Sequence, residues 1–148
     1  MLLSSPKNIT IVTINWPPYV IHPSTSLKGY NYDIVNEAFK RSNYTVKFEF
    51  FPWSRGMKMV KEGERDAIFP TYYSKDRAQF LAFSNPFSQS QLGLFKRKEM
   101  KEKWSPDAID KPTFALRELS KYRFGVTRGF VNTKEFDSAD FLIKEPAN

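Results

Sequence analysis

The sequence predicts an α/β fold with a mostly parallel sheet flanked by helices. Three observations predict it. Strand-like and helix-like runs alternate as strand–helix–strand–helix–strand, the rhythm of a sheet built from crossover connections. The first run, Ile9-Thr10-Ile11-Val12-Thr13-Ile14, is β-branched on both faces, as a strand covered on both sides requires. Hydrophobic residues are 41% and aromatic residues 16% of the 148, enough apolar material for a packed core.

The first strand ends at Asn15, where Trp16-Pro17-Pro18 forces a loop that Gly29 closes. Asp33 opens a helix with Ile34, Val35, Ala38 and Phe39 on one face, and its charge suits the helix dipole. Thr45 to Phe50 alternates cleanly and reads as the second strand. Phe51-Pro52-Trp53 turns the chain, Ser54 is suited to N-cap a second helix carrying Met57 and Val60, and Gly63 ends it. Asp66 to Phe69 is a short third strand, and Ser74 caps a short third helix with Arg77, Ala78 and Leu81. Phe83 to Phe87 is a turn, and Gln91 to Phe95 resumes an extended run. The polar stretch from Glu99 to Pro112 reads as a linker. Tyr122 to Thr127 starts another strand, followed by the turn Arg128-Gly129-Phe130.

Net charge is +7, a balance that suits nucleic acid or an anionic membrane surface. The basic residues are dispersed, however. The densest cluster, Lys96-Arg97-Lys98 with Lys101 and Lys103, is interrupted by Glu99 and Glu102 and reads as a solvated connector. Cysteine is absent, which excludes zinc–thiolate sites and disulfides. No apolar stretch is long enough to span a membrane, and Met1 to Ser5 is too short for a signal peptide.

Chemistry-bearing motifs are few. His22 is the only histidine and sits in a proline-flanked loop, where solvent exposure is its ordinary fate. No glycine-rich phosphate loop or nucleophile elbow is present. Glu62, Glu64 and Asp66 read as a helix end and turn, not as an acid/base pair. No catalytic set and no cofactor is implied. Arg77 is the most informative residue. Capped by Ser74, it falls in the first turn of a helix, where free backbone N–H groups and a guanidinium together suit an anion. The same arginine also fits a surface ion pair with Asp76 or Asp66. Asn15, Trp16 and Tyr19 follow the first strand, at the strand ends where open α/β sheets place ligands. Trp53 is a further cleft-wall candidate. Each aromatic fits core packing equally well.

Five pieces in order carry a family resemblance. They are Gly29-Tyr30-Asn31-Tyr32-Asp33-Ile34, Trp53-Ser54-Arg55, Gly63-Glu64-Arg65-Asp66-Ala67, Asp76-Arg77 leading to Phe83-Ser84-Asn85-Pro86-Phe87, and Phe124-Gly125-Val126-Thr127-Arg128-Gly129. Together they resemble the family-3 extracellular solute-binding proteins, the amino-acid receptors of ABC importers. The resemblance implies a periplasmic-binding-protein-like lobe over residues 9–98, a connector over 99–121, and the start of a second lobe over 122–148. It implies a receptor outside the cytoplasm, in the periplasm, that binds a small polar solute and serves an ABC permease without enzymatic activity. It assigns Arg77 to the solute carboxylate, with Tyr72, Trp53, Asn15, Trp16, Tyr19, Thr127 and Arg128 as further ligand contacts.

Two departures bear on specificity. Pro70 and Tyr72 stand where the family usually has glycine and threonine. Proline donates no backbone hydrogen bond and tyrosine takes pocket volume, which implies a smaller or different solute. The residues from Phe124 onward are fewer than the roughly 40 of a self-standing lobe. The clamp is therefore expected to be truncated, to bind free amino acids weakly or not at all, and to form homo-oligomers through exchanged or patched surfaces. A solute sensor, or the non-catalytic front domain of a lytic transglycosylase, is the alternative reading. A basic nucleic-acid-binding domain is the third, and the dispersed charge argues against it.

Overall fold

The computed structural model describes residues 5–24, 26–90, 92–101 and 116–147. They form β1 (Lys7–Thr13), α1 (Tyr30–Arg41), β2 (Tyr44–Phe50), α2 (Trp53–Lys61), β3 (Ala67–Ile68), a single 3-10 turn (Arg77–Gln79), β4 (Arg123–Thr127), α3 (Lys134–Ser138) and β5 (Ile143–Ala147). The chain divides into two compact units, Met1–Ser88 and Gln89–Asn148.

In the first unit the strand order is β2-β1-β3, and both pairings are parallel. Thr13 pairs with Phe50 and Val12 with Ile68, so the three strands end at one edge of the sheet. The chain steps from β1 outward to β2, then returns across β1 to β3. Right-handed crossovers in opposite directions put the two helices on opposite faces. The packing agrees. Val35 of α1 joins Ile11, Val20 and Phe69 in one cluster, whereas Gly56 of α2 lies on Val12, one residue along β1 and facing the other way. A Cβ on Gly56 would overlap Val12 Cγ1, so α2 approaches the sheet closer than any side chain would allow. Ile11 and Val20 are fully enclosed, and each such side chain stabilises the fold by about 1.5–3 kcal/mol.

The strands β1 to β4 and the helices α1 and α2 match the sequence reading in type, and their edges differ for local reasons. Helix α1 starts at Tyr30, three residues before Asp33. Gly29 turns the chain at φ 87°, and the Asn31 N–H finds its acceptor in the Tyr19 carbonyl at 3.0 Å. A backbone oxygen from a distant loop thus does what a capping side chain would do. Asp33 remains in the first turn. Helix α2 starts at Trp53, because Pro52 takes the cap position with φ −53° and ψ 139° and its carbonyl accepts from Gly56 N–H. Its end at Gly63 is as expected: Gly63 N–H reaches Val60 O and Glu64 N–H reaches Met59 O.

The third strand and third helix are shorter than expected. Strand β3 has two residues, although backbone bonds from Asp66 N–H to Thr10 O and from Phe69 N–H to Val12 O continue its alignment with β1. The Asp66 carboxylate also accepts from Thr10 N–H at 2.7 Å, which makes it a structural acid. Ser74 Oγ accepts from Arg77 N–H at 3.2 Å as a cap should, but the helix stops after one 3-10 turn. Phe80 leaves helical geometry at φ −137°, with its ring under Lys61 of α2, 5.2 Å from Nζ. The extended run expected at Gln91 to Phe95 falls partly outside the described residues, and the rest of it is in no strand. Most of the expected linker also lies outside them.

The second unit contains its own β–α–β arrangement. Strands β4 and β5 are parallel, with Arg123 opposite Ile143 and a salt bridge from Arg123 to Glu145. Helix α3 between them is capped by Thr133, whose Oγ1 accepts from Phe136 N–H at 3.2 Å. Leu116, Phe136, Ala139 and Leu142 form its core, with Phe124 and Val126 of β4 against them. The turn after β4 is closed by Phe130 N–H on Thr127 O, with Gly129 at φ 77°.

Candidate functional site

Topology points to one edge of the first unit. In the order β2-β1-β3 the connection from β1 leaves toward β2, and β3 lies on its other side. Sheets of this kind open a crevice at the carboxyl ends of the two strands where the winding reverses. The loops that follow β1 and β3 supply Asn15 and Trp16 on one side and Phe69 to Arg77 on the other.

Arg77 is the best-defined residue of this edge. It is buried, only 6% exposed, although an arginine is almost never enclosed without partners. One of its terminal nitrogens, Nη1, donates to Thr71 Oγ1 and to the Tyr72 carbonyl, both at 2.9 Å. The guanidinium carbon lies 5.4 Å from the centroid of the Trp53 ring, within cation–π range. The first turn of α2 and the segment after β3 therefore fix the plane of the cation from two directions. These two acceptors are neutral oxygens, and they orient the guanidinium. A cation so held is suited to a carboxylate by bidentate geometry. At 6% exposure the side chain does not lie at the surface.

A second group gathers after β1. Trp16 and Val20 form a β-bridge that folds the Trp16–Val20 segment back on itself. It sets the Trp16 and Tyr19 rings 4.6 Å apart, with Tyr30 edge-on to Tyr19 at 5.1 Å. The Tyr30 hydroxyl is pushed above the ordinary tyrosine value, first by loss of water and then by the hydrogen bond to Tyr19. Asn15 Oδ1 accepts from the His22 N–H at 2.9 Å, and the His22 ring meets Phe50 at the end of β2 edge-on, 4.8 Å between centroids. Asn15 thus spends its side-chain oxygen on holding the loop.

The structure brings Trp53, Tyr72 and Arg77 together, and it brings Trp16 and Tyr19 together. Tyr72 joins through its backbone carbonyl, and the residue is 36% exposed. Thr71, Tyr30 and Phe50 complete these contacts and were not singled out in the sequence. Thr71 sits between the two flagged residues Pro70 and Tyr72, and that position is the signal that could have found it. Thr127 and Arg128 stand in the second unit, at the carboxyl end of β4, and both are exposed. Two buried polar atoms, Thr13 Oγ1 and Asn31 Oδ1, have no hydrogen-bond partner among the described residues. Among those residues no cluster of three or more His, Asp or Glu side chains could hold a metal ion. No described helix is long and apolar enough to cross a membrane.

Comparison with family models finds a match over residues 9–137, to the model described as bacterial extracellular solute-binding proteins, family 3. A comparison with curated proteins finds no match.

Proposed function

The chain belongs to family 3 of the bacterial extracellular solute-binding proteins, and on that footing we propose that it captures a small carboxylate-bearing solute, an amino acid or a related acid. Solute binding is the property of the family. The carboxylate, the ABC permease as the next partner, and a periplasmic site of action are our reading.

One observation carries it: the buried Arg77 guanidinium, oriented by Thr71 Oγ1 and the Tyr72 carbonyl over the Trp53 ring. It stands at the strand-end edge where α/β sheets of this winding receive ligands. A guanidinium recognises a carboxylate by two parallel N–H···O bonds, and partial burial strengthens that pairing over its value in water. Trp16 and Tyr19 at the end of β1 supply an apolar wall for the rest of the solute. Nothing in this arrangement calls for bond making or breaking.

Calorimetry of the full chain against a panel of amino acids and small mono- and dicarboxylates tests the reading. Heat from at least one carboxylate, lost in Arg77→Ala, supports it. A panel with no binder, or a binder indifferent to Arg77, refutes it.

A further inference from the structure

Residues 92–101 divide sharply by chemistry. Leu92, Leu94 and Phe95 come first, then Lys96, Arg97, Lys98 and Lys101, with Glu99 the one opposing charge. The apolar half is not covered: Phe95 is 98% exposed, Leu92 48% and Leu94 41%. The basic half is gathered by a turn, in which Met100 N–H donates to Arg97 O and Lys96 Nζ donates to Met100 O, both at 3.1 Å. Four cations thus fall within six residues, directly beside a phenylalanine standing in solvent. Each feature alone is ordinary. A single exposed apolar residue is unremarkable, and a charge run is usually a solvated face. Their adjacency is the observation.

We propose that this segment is a docking surface for an anionic lipid bilayer. Phosphate headgroups attract lysine and arginine, and the boundary beneath them takes up aromatic and aliphatic side chains that water does not favour. The segment offers both chemistries in adjoining positions, and its net charge complements an anionic surface. Nucleic acid would use the cations and could stack on Phe95, but it offers nothing to Leu92 and Leu94. The segment shares no residue with the candidate solute site, and the proposal does not depend on that reading.

Co-sedimentation of the full chain with vesicles tests it, comparing pure phosphatidylcholine with mixtures of phosphatidylcholine and phosphatidylglycerol. Binding is expected only to the anionic vesicles and is expected to weaken as salt rises. Each cation removed is expected to weaken it about fivefold, so that Lys96→Ser, Arg97→Ser and Lys98→Ser combined approach a hundredfold loss. Phe95→Ser alone is expected to weaken it roughly tenfold. All four positions are exposed, so unchanged melting temperatures will confirm that the variants fold. No sedimentation, equal sedimentation with neutral vesicles, or indifference to Phe95→Ser overturns the proposal. So does tighter binding to a single-stranded oligonucleotide, or a Phe95→Ser variant that only converts a dimer to a monomer in light scattering.

Discussion

The Nη1 of Arg77 donates to the backbone carbonyl of Tyr72, five residues earlier, at 2.9 Å. The contact uses no feature of the tyrosine side chain, so one of the groups that orient the guanidinium is main chain that any residue would supply. A lysine has one compact ammonium and cannot reproduce the fork. Arg77→Lys is therefore expected to weaken carboxylate binding at least tenfold while Tyr72→Phe changes it little, as titration calorimetry of the two variants will show.

The candidate contacts include a cation, aromatic rings and an amide, and no acid. An amino group on the solute finds no counter-charge among them. Simple monocarboxylates should therefore bind within about tenfold of the corresponding amino acids, since a lone exposed charge contact is worth little. Competition experiments that rank α-amino acids far above their deaminated analogues would contradict this.

Gly56 is set by contact rather than by turn geometry. Gly56→Ala places a methyl group into Val12 Cγ1 and forces α2 away from the sheet. Overpacking of this kind costs about 1–3 kcal/mol, which outweighs the better helix propensity of alanine. Urea unfolding should give a lower midpoint for this variant.

Thr13 Oγ1 is fully enclosed and has no partner among the described residues. Removing a buried hydroxyl that is not hydrogen-bonded relieves a desolvation cost. Thr13→Val, close in shape, is expected to be neutral or stabilising by up to about 1 kcal/mol in thermal melts. A clear loss of stability would mean that the hydroxyl is satisfied in solution.

Glu49 is held below the ordinary glutamate value, first by its hydrogen bond to Lys47 and then by that to Arg65. A carboxylate with a lowered folded-state value contributes stability above its unfolded value and loses it as the pH falls through the folded one. Melting temperature should therefore drop on the acid side of the ordinary glutamate range. Glu49→Gln should flatten that part of the profile and leave the slope near neutrality unchanged.

The sequence made the central sheet legible, because β-branched and alternating runs report a strand's surroundings directly. Ser74 as the acceptor for Arg77 N–H was legible for the same reason, since a cap acts over three residues. What stayed hidden was set by distant parts of the chain. The start of α1 uses the Tyr19 carbonyl, and the Phe80 ring beyond the short turn meets Lys61 of α2. The contributions of Thr71 and of the Tyr72 carbonyl were invisible for another reason. Residue type does not reveal which backbone oxygens a loop will turn inward.

The Thr10–Asp66 hydrogen bond joins residues 56 apart, and it closes the strand at the middle of the sheet. β1 is made early and completed late: it waits for β2 on one side and for β3 on the other. A chain emerging from the ribosome must therefore hold Ile11 and Val12 without their neighbours until Asp66 has been delivered. Pairings this remote in sequence slow folding and lengthen the exposure of aggregation-prone strands. The first unit should thus owe its yield to what shelters the nascent chain as much as to the stability of the finished sheet.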